Sequence, residues 1–300
     1  IQNKDIRQEL HIQRDGSART ISYLPCVLKA SAEVRGNTKH WELIRNSFNN
    51  KNKRREKTSI YGDRGSYYES EDFFNEEDSK EVTHPFLGYY SVARLSAQKK
   101  KPTKQKIELP NRKTAYVDAL TQANSQWKAE RWFAGLQSRA YGGLGEAKAI
   151  FEMAKSKILA LFQSVEPPLK GIRHDPEIDE LFILFENAEG FIPASFLSSG
   201  YKSVLSMGLD IVYRMYVINP HLGAKAFDET PGIALIDEID MHLHPKWQGH
   251  IIDDLRKAFP LLQFVVSTHS AFIVQGLRDA RIIDLDNERE RDIGDYVKKS

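Results

Sequence analysis

The chain has 300 residues and a mass of 34.4 kDa, room for about two domains at roughly 150 residues each. It is 41% hydrophobic and 28% charged, with a mean hydropathy of −0.50, and no apolar run approaches the ~18 residues of a membrane-spanning helix, so no membrane partner is expected. Its 43 basic and 41 acidic side chains leave a net charge of +2, which says little about nucleic acid either way, and its one cysteine, Cys26, excludes an intrachain disulfide or a cysteine zinc cluster and fits a reducing cytoplasm.

The chain opens at Ile1 with no secretory signal behind it, which reads as a fragment of something longer. Residues 6–12 alternate loosely, Asp15-Gly16-Ser17 reads as a turn, and residues 20–28 read as a second strand. His40 and Trp41 read as packing residues. Residues 51–57 then carry five basic side chains against one acidic, 69–81 seven acidic against one basic, and 99–113 seven basic against one acidic. Blocks of this kind read as solvated loops; the basic ones could also touch a DNA or RNA backbone. Between them an apolar island, residues 85–93, reads as a buried strand that delivers Arg94 to its end.

Residues 114–166 read as helical. Ile150, Phe151, Ala154, Ile158, Leu161, Phe162 and Val165 follow the spacing of one buried helix face, and Pro167-Pro168 ends it. Tyr116, Leu120, Trp127 and Phe133 are spaced less regularly and read as packing between helices. Residues 181–185 and 191–193 suggest a hairpin across Asn187-Ala188-Glu189-Gly190. A helix over 202–217 follows, ended by Asn219-Pro220. Next come an apolar strand at 233–236, a helix carrying Trp247, Ile251, Leu255 and Phe259 on one face, a strand at 262–266, a short helix and a last strand at 281–285. Continuous apolar strands alternating with amphipathic helices predict an α/β fold whose parallel sheet is covered on both faces.

The candidate chemistry lies at strand and helix ends. The strand at 233–236 ends in Asp237-Glu238. Two acids at the tip of a buried strand are costly unless paired, and a hard cation such as Mg²⁺ suits Asp237 while Glu238 could polarise an attacking water. The other reading is a surface turn with two solvated acids. His242 and His244 sit two apart in an extended segment; a metal-site reading of them finds no third imidazole or thiolate near in sequence. The strand at 262–266 ends in Ser267-Thr268-His269-Ser270, where His269 could meet a phosphate or the attacking water. Ser198 or Ser199 is a candidate N-cap, and with Gly200 the start of that helix could cradle an anion or be a simple cap.

In this order, the motifs resemble the ATP-binding-cassette ATPases of the RecF/SMC type. Leu197-Ser198-Ser199-Gly200-Tyr201 resembles that family's signature loop, with Ser for its usual first Gly and Tyr for its usual Gln. Residues 233–238 resemble the Walker B strand, 239–244 the D-loop, and His269 the switch histidine. The run from Asp237 through Pro245-Lys246-Trp247-Gln248, Phe259-Pro260 and Thr268-His269-Ser270 is similar to the ATPases of bacterial anti-phage systems: the Septu type, also found with some retrons, and the overcoming-lysogenization-defect family. The resemblance covers residues 195–275 well, and Tyr89-Tyr90 to Arg94 resembles a strand-and-Arg element of the same ATPases. It implies a P-loop NTPase head with a mixed or parallel sheet plus a helical insertion lobe. Residues 1–113 would be the N-terminal part of the head, 114–180 the lobe, and 181–300 the C-terminal part.

The resemblance also implies ATP and Mg²⁺ as cofactors, with Asp237 positioning the metal, Glu238 as base and His269 sensing the γ-phosphate. Ser198, Ser199, Gly200, Tyr201, Lys202, Asp240 and Arg94 would touch nucleotide, some of them across a homodimer that sandwiches it. The departure from the family is that no G-x-x-x-x-G-K-[ST] loop occurs in these 300 residues; it lies upstream of this chain, or the site is degenerate. No nuclease motif is read in these residues; the resemblance to Septu-type systems implies an HNH-type nuclease partner, and that to the overcoming-lysogenization-defect family a nuclease domain beyond Ser300. The competing reading is a RecF/SMC-like DNA-binding repair ATPase or clamp scaffold, and a third is a pseudo-ATPase that only dimerises.

Overall fold

The computed structural model describes residues 82–92, 112–116, 119, 125–277 and 280–284, and the backbone of the strands at 8–12, 18–22, 26–34, 37–45, 60–61 and 289–291. Arg94 and the basic stretches at 51–57 and 99–111 lie outside the described residues. The chain divides into two units, Ile1–Lys80 and Glu81–Ser300.

The first unit is antiparallel. β1 (Gln8–Ile12) pairs with β2 (Ala18–Ser22), and β3 (Cys26–Val34), β4 (Asn37–Arg45) and β5 (Ile60–Tyr61) form a sheet in that order. The expected strand at 20–28 divides between β2 and β3. His40 and Trp41 fall within β4, opposite Ser31 and Ala30.

The second unit begins with β6 (Phe86–Tyr90), the apolar island. Three helices follow: α1 (Arg112–Tyr116), α2 (Ser125–Tyr141) and α3 (Gly145–Ala160). α2 buries Ala129, Trp132, Phe133, Leu136 and Ala140, a 3.6-residue stripe that the aromatic residues alone had obscured. α3 buries Ile150, Phe151, Ala154 and Ile158 as the spacing predicts, and ends at Ala160, short of Val165. Leu161 and Phe162 are fully buried in the turn beyond it. β7 (Leu169–Asp175), β8 (Glu180–Phe185) and β9 (Ile192–Pro193) form an antiparallel sheet, and the predicted hairpin is its β8–β9 half. The Gln137 amide clamps β7 onto α2: its Nε2 donates to the His174 carbonyl and its Oε1 accepts from the His174 N–H, both at 2.7 Å.

α4 (Ser199–Ile218) is the central helix, buried nearly all round and packed against α1, α2, α3 and β6. A charged pair lies within it. Arg214 Nε donates to both Asp210 oxygens at 2.8 and 3.0 Å, and its Nη1 donates to the Ala115 carbonyl. Tyr90 Oη donates to the same Asp210 at 2.9 Å. With every partner supplied, two buried charges are tolerated. Burial, and after it the Asp210 carboxylate, pushes the Tyr90 phenol far above its ordinary range, so it stays a donor.

Beyond α4 come α5 (Ala226–Glu229), β10 (Gly232–Ile236), α6 (Pro245–Gln248), α7 (Ile251–Ala258), β11 (Leu262–Val266), α8 (Ala271–Gly276), β12 (Ile282–Asp284) and β13 (Arg289–Arg291). The single helix expected over Trp247 to Phe259 is broken at Gly249-His250 into α6 and α7, yet all four apolar residues are buried as predicted. β6, β10 and β11 form a parallel sheet in the order β11-β10-β6. One face is core, through Phe86, Ala234, Ile236 and Leu262. The other differs from the expected double cover: Leu87, Ile233, Leu235 and Val265 are 36–50% exposed. The strands are apolar on both faces, so the sequence pattern alone could not separate the covered face from the open one.

Asp254, in the first turn of α7, is buried. One of its oxygens accepts from Ser164 Oγ at 2.8 Å and the other has no hydrogen-bond partner. Burial raises its pKa, and the Ser164 bond and Lys257 only partly oppose this. A carboxyl whose folded pKa is raised contributes stability below its unfolded pKa, and that contribution is lost as pH rises through the folded value. Asp254→Asn is therefore expected to raise Tm by roughly 2–4 °C at neutral pH. In thermal melts the gain should fade as pH drops below about 4, where aspartate is neutral in both states.

Candidate functional site

β10 and β11 run parallel with Ile236 opposite Val266, so both strands release the chain at one edge of the sheet. Asp237 leaves β10 still tied to the neighbouring strand, its N–H donating to the Tyr90 carbonyl at 2.8 Å. The chain then turns through Glu238, which is left-handed at φ 47°, and Met241 N–H closes the turn on the Glu238 carbonyl at 3.1 Å. A non-glycine residue in this region costs of order 1–3 kcal/mol and persists only where its surroundings hold it; such residues cluster at functional sites.

The surroundings are the residues that follow β11. Ser267 Oγ donates to Asp237 Oδ1 at 2.5 Å and accepts the Glu238 N–H at 2.9 Å. Thr268 Oγ1 donates to Asp240 Oδ1. His269 Nε2 lies 3.1 Å from Glu238 Oε1, with the imidazole largely exposed and the carboxylate half-buried. Ser270 Oγ donates to Gln248 Oε1 at 2.6 Å, and Gln248 Nε2 donates to the carbonyls of Leu243 and Asp240 at 2.9 and 3.3 Å. Four consecutive side chains, 267–270, thus grip the loop from 237 to 248 at four points. Of the residues the sequence singles out, the structure brings Asp237, Glu238, Asp240 and His269 to this edge; Ser267, Thr268, Ser270 and Gln248, which carried no expected role, join them. Their signal was a run of hydroxyls at the tip of the strand beside the Asp-Glu strand.

Asp237 fits Mg²⁺, which takes one or two carboxylates and completes its shell with water and phosphate oxygens. Among the described residues no group of three or more His, Cys, Asp or Glu forms a protein-only cage. His242 and His244 do not form one either. His242 is exposed with a left-handed backbone at φ 64°, and His244 Nδ1 caps α6 by accepting the Lys246 N–H at 3.3 Å.

The start of α4 is a second group. Ser198 is the N-cap residue with its hydroxyl not spent on a cap bond, and Ser198 and Ser199 are both exposed. The first-turn N–H groups and helix dipole there favour an anion. Lys202, half-buried, sits in that turn with its N–H donating to the Ser198 carbonyl at 3.0 Å. Gly200 is buried against the 239–244 loop, where an added Cβ would lie 2.4 Å from the His242 carbonyl oxygen. Tyr201 is packed in an aromatic cluster: it stacks on Phe162 at 5.8 Å and 15°, with Trp247 at 5.2 Å and Phe185 edge-on at 5.7 Å. Burial raises its phenol pKa.

With this geometry in place, the family described as AAA ATPase domain matches residues 7–274. The chain is 42% identical over 90 residues to a Vibrio cholerae protein named retron Vc95 probable ATPase, covering 29% of this chain and 16% of that one. It is 36% identical over 136 residues to Septu protein PtuA of Bacillus mycoides, covering 44% of this chain and 18% of that one. The chain therefore spans less than a fifth of either relative's length. Among solved structures, the SMC head domain from Thermotoga maritima aligns at 14% identity and a TM-score of 0.39, over 83% of this chain and 66% of that one.

Gly200→Ala is expected to drive the start of α4 away from the 239–244 loop. Overpacking against backbone should cost about 1–3 kcal/mol, read as a lower denaturant midpoint with an unchanged m-value.

Proposed function

The chain belongs to the AAA ATPase domain family, and from that premise we propose that it is the Mg²⁺-dependent ATP-hydrolysing part of an anti-phage defence ATPase that works in the cytoplasm as a nucleotide-sandwiched homodimer. The observation that carries this reading is the pairing of Glu238 with His269 at 3.1 Å, beside an Asp237 held at the tip of a parallel strand.

The roles follow from position. Asp237 holds the metal, which when bound neutralises charge on the phosphate oxygens. Glu238 takes the proton of the attacking water, and its left-handed backbone turns the carboxylate out of the strand line toward His269. His269, exposed and with one ring nitrogen 3.1 Å from the Glu238 carboxylate, reads the terminal phosphate. The Ser198 and Ser199 hydroxyls, the N–H groups of residues 199–201 and the Lys202 side chain grip the phosphate held by the second subunit. Asp240, within the D-loop at 239–244 and held there by Thr268, touches nucleotide on the resemblance. Gly200 contributes by letting that loop approach α4, and Tyr201 by anchoring the helix start. Arg94, on the resemblance, reaches the nucleotide from beyond β6.

The similarity to a Septu protein and a retron ATPase supports a defence role, and with it a nuclease partner, of HNH type on the resemblance, that docks on the helices at 114–180. Purified from its host, the complex should carry a nuclease whose cleavage responds to ATP. Steeply salt-dependent binding to bare duplex, with no nuclease attached, would favour the clamp reading instead.

Glu238→Gln, made in the full-length protein, should lower the hydrolysis rate by at least ~100-fold, the usual contribution of a general base. It should also accumulate an ATP-bound dimer, seen as a doubling of mass by light scattering. A variant that hydrolyses ATP like wild type would remove Glu238 from the role of base.

A further inference from the structure

Ser267 lies between the two carboxylates and touches both. Its single proton is committed to Asp237 Oδ1 at 2.5 Å, and its lone pair receives the Glu238 N–H at 2.9 Å. One hydroxyl therefore fixes the rotamer of the first acid and the left-handed backbone of the second. We propose that Ser267 is the positioning residue of the site, setting Asp237 for the metal and Glu238 for the water at the same time. The proposal rests on the ATPase reading given above.

Two features separate this from ordinary packing. The main chain at Ser267 is anchored without its side chain, since its N–H donates to the Ile236 carbonyl at 2.9 Å and its carbonyl accepts the Ile239 N–H at 3.1 Å. Removing the hydroxyl leaves strand register and fold in place. The geometry also needs an atom that donates in one direction and accepts in the other, at one short reach from the backbone. Serine and threonine supply that atom; alanine, valine and asparagine do not. His269, which pairs with Glu238 through its side chain, cannot substitute, because it touches neither Asp237 Oδ1 nor the Glu238 N–H.

The chemical consequence follows from the general behaviour of groups that orient metal ligands: losing one weakens metal affinity by about 10–100-fold while the ligand itself remains. In Ser267→Ala the Asp237 carboxylate loses the bond that orients its Oδ1, and the Glu238 turn loses its lateral bond. Metal-dependent binding should suffer through Asp237, and the chemical step through Glu238.

The test compares wild type, Ser267→Ala and Ser267→Thr in the full-length protein. Amide hydrogen exchange, without nucleotide or metal, is read at residues 237–240. Calorimetric ATP binding is then titrated with Mg²⁺. Ser267→Ala is expected to speed exchange at Glu238 by at least ~10-fold and to raise the Mg²⁺ concentration for half-maximal ATP binding by about 10-fold, at a Tm close to wild type. Ser267→Thr should restore both. Unchanged exchange and unchanged Mg²⁺ dependence in Ser267→Ala overturn the proposal and leave the ATPase reading intact, as does a threonine variant that behaves like the alanine one. A wild-type protein that binds no ATP at any Mg²⁺ concentration removes the ATPase reading and the proposal together.

Discussion

The parallel register of β10 and β11 is the constraint on which the site depends. Ile236 opposite Val266 makes two segments, 237–244 and 267–270, leave the sheet side by side and in step. A shift of one residue would turn Asp237 to the opposite face and separate Ser267, Thr268 and His269 from their acceptors, because strand side chains alternate. The register is itself held by burial on one face, where Ala234 and Ile236 enter the core while Ile233 and Leu235 do not. The side chains of the candidate site are thus placed by packing in which they take no part.

The second support is α4. Its N-terminal turn carries the exposed serines, and its middle carries the Asp210–Arg214 pair that Tyr90 joins. Tyr90 acts twice: its hydroxyl bonds Asp210 and its carbonyl receives the Asp237 N–H. A buried charge left without its partner costs more than a surface pair ever returns, so this chain of contacts ties the position of β6, and through it the base of Asp237, to the body of α4. At the N-terminal end of the helix Tyr201, Phe162, Trp247 and Phe185 fasten the serine-bearing turn to α6 and β8. Aromatic pairs of this kind add about 0.5–1.5 kcal/mol each beyond the area they bury.

Of the three left-handed non-glycine residues among the described ones, Asp179 lies in the turn between β7 and β8, while Glu238 and His242 both lie in the loop between β10 and α6, where Gly200 of α4 packs against the His242 carbonyl. The loop holds this shape because Gln248 binds two of its carbonyls while the hydroxyls of residues 267 and 268 bind two of its acids. Strain and clasp belong together: without the second, the first would relax.

Much of this was legible in the sequence. The apolar runs at 233–236 and 262–266 announced two strands, and Asp237-Glu238 and His269 at their ends marked the candidate site, because a strand apolar along its length leaves its polar residues at the tip. The stripe from Ile150 to Ile158 announced α3 and its buried face. Other features needed tertiary structure. The open face of the parallel sheet, the break between α6 and α7, the clasp formed by Ser267, Thr268 and Ser270, and the packing of Gly200 and Tyr201 all depend on which distant residue arrives opposite. A hydroxyl, a glycine or a tyrosine has the same local signal whether it meets water, a ligand or a neighbouring loop. Local periodicity determined the elements and their tips; long-range register decided which side chains meet there, and hydrogen bonds reach only as far as that register brings them.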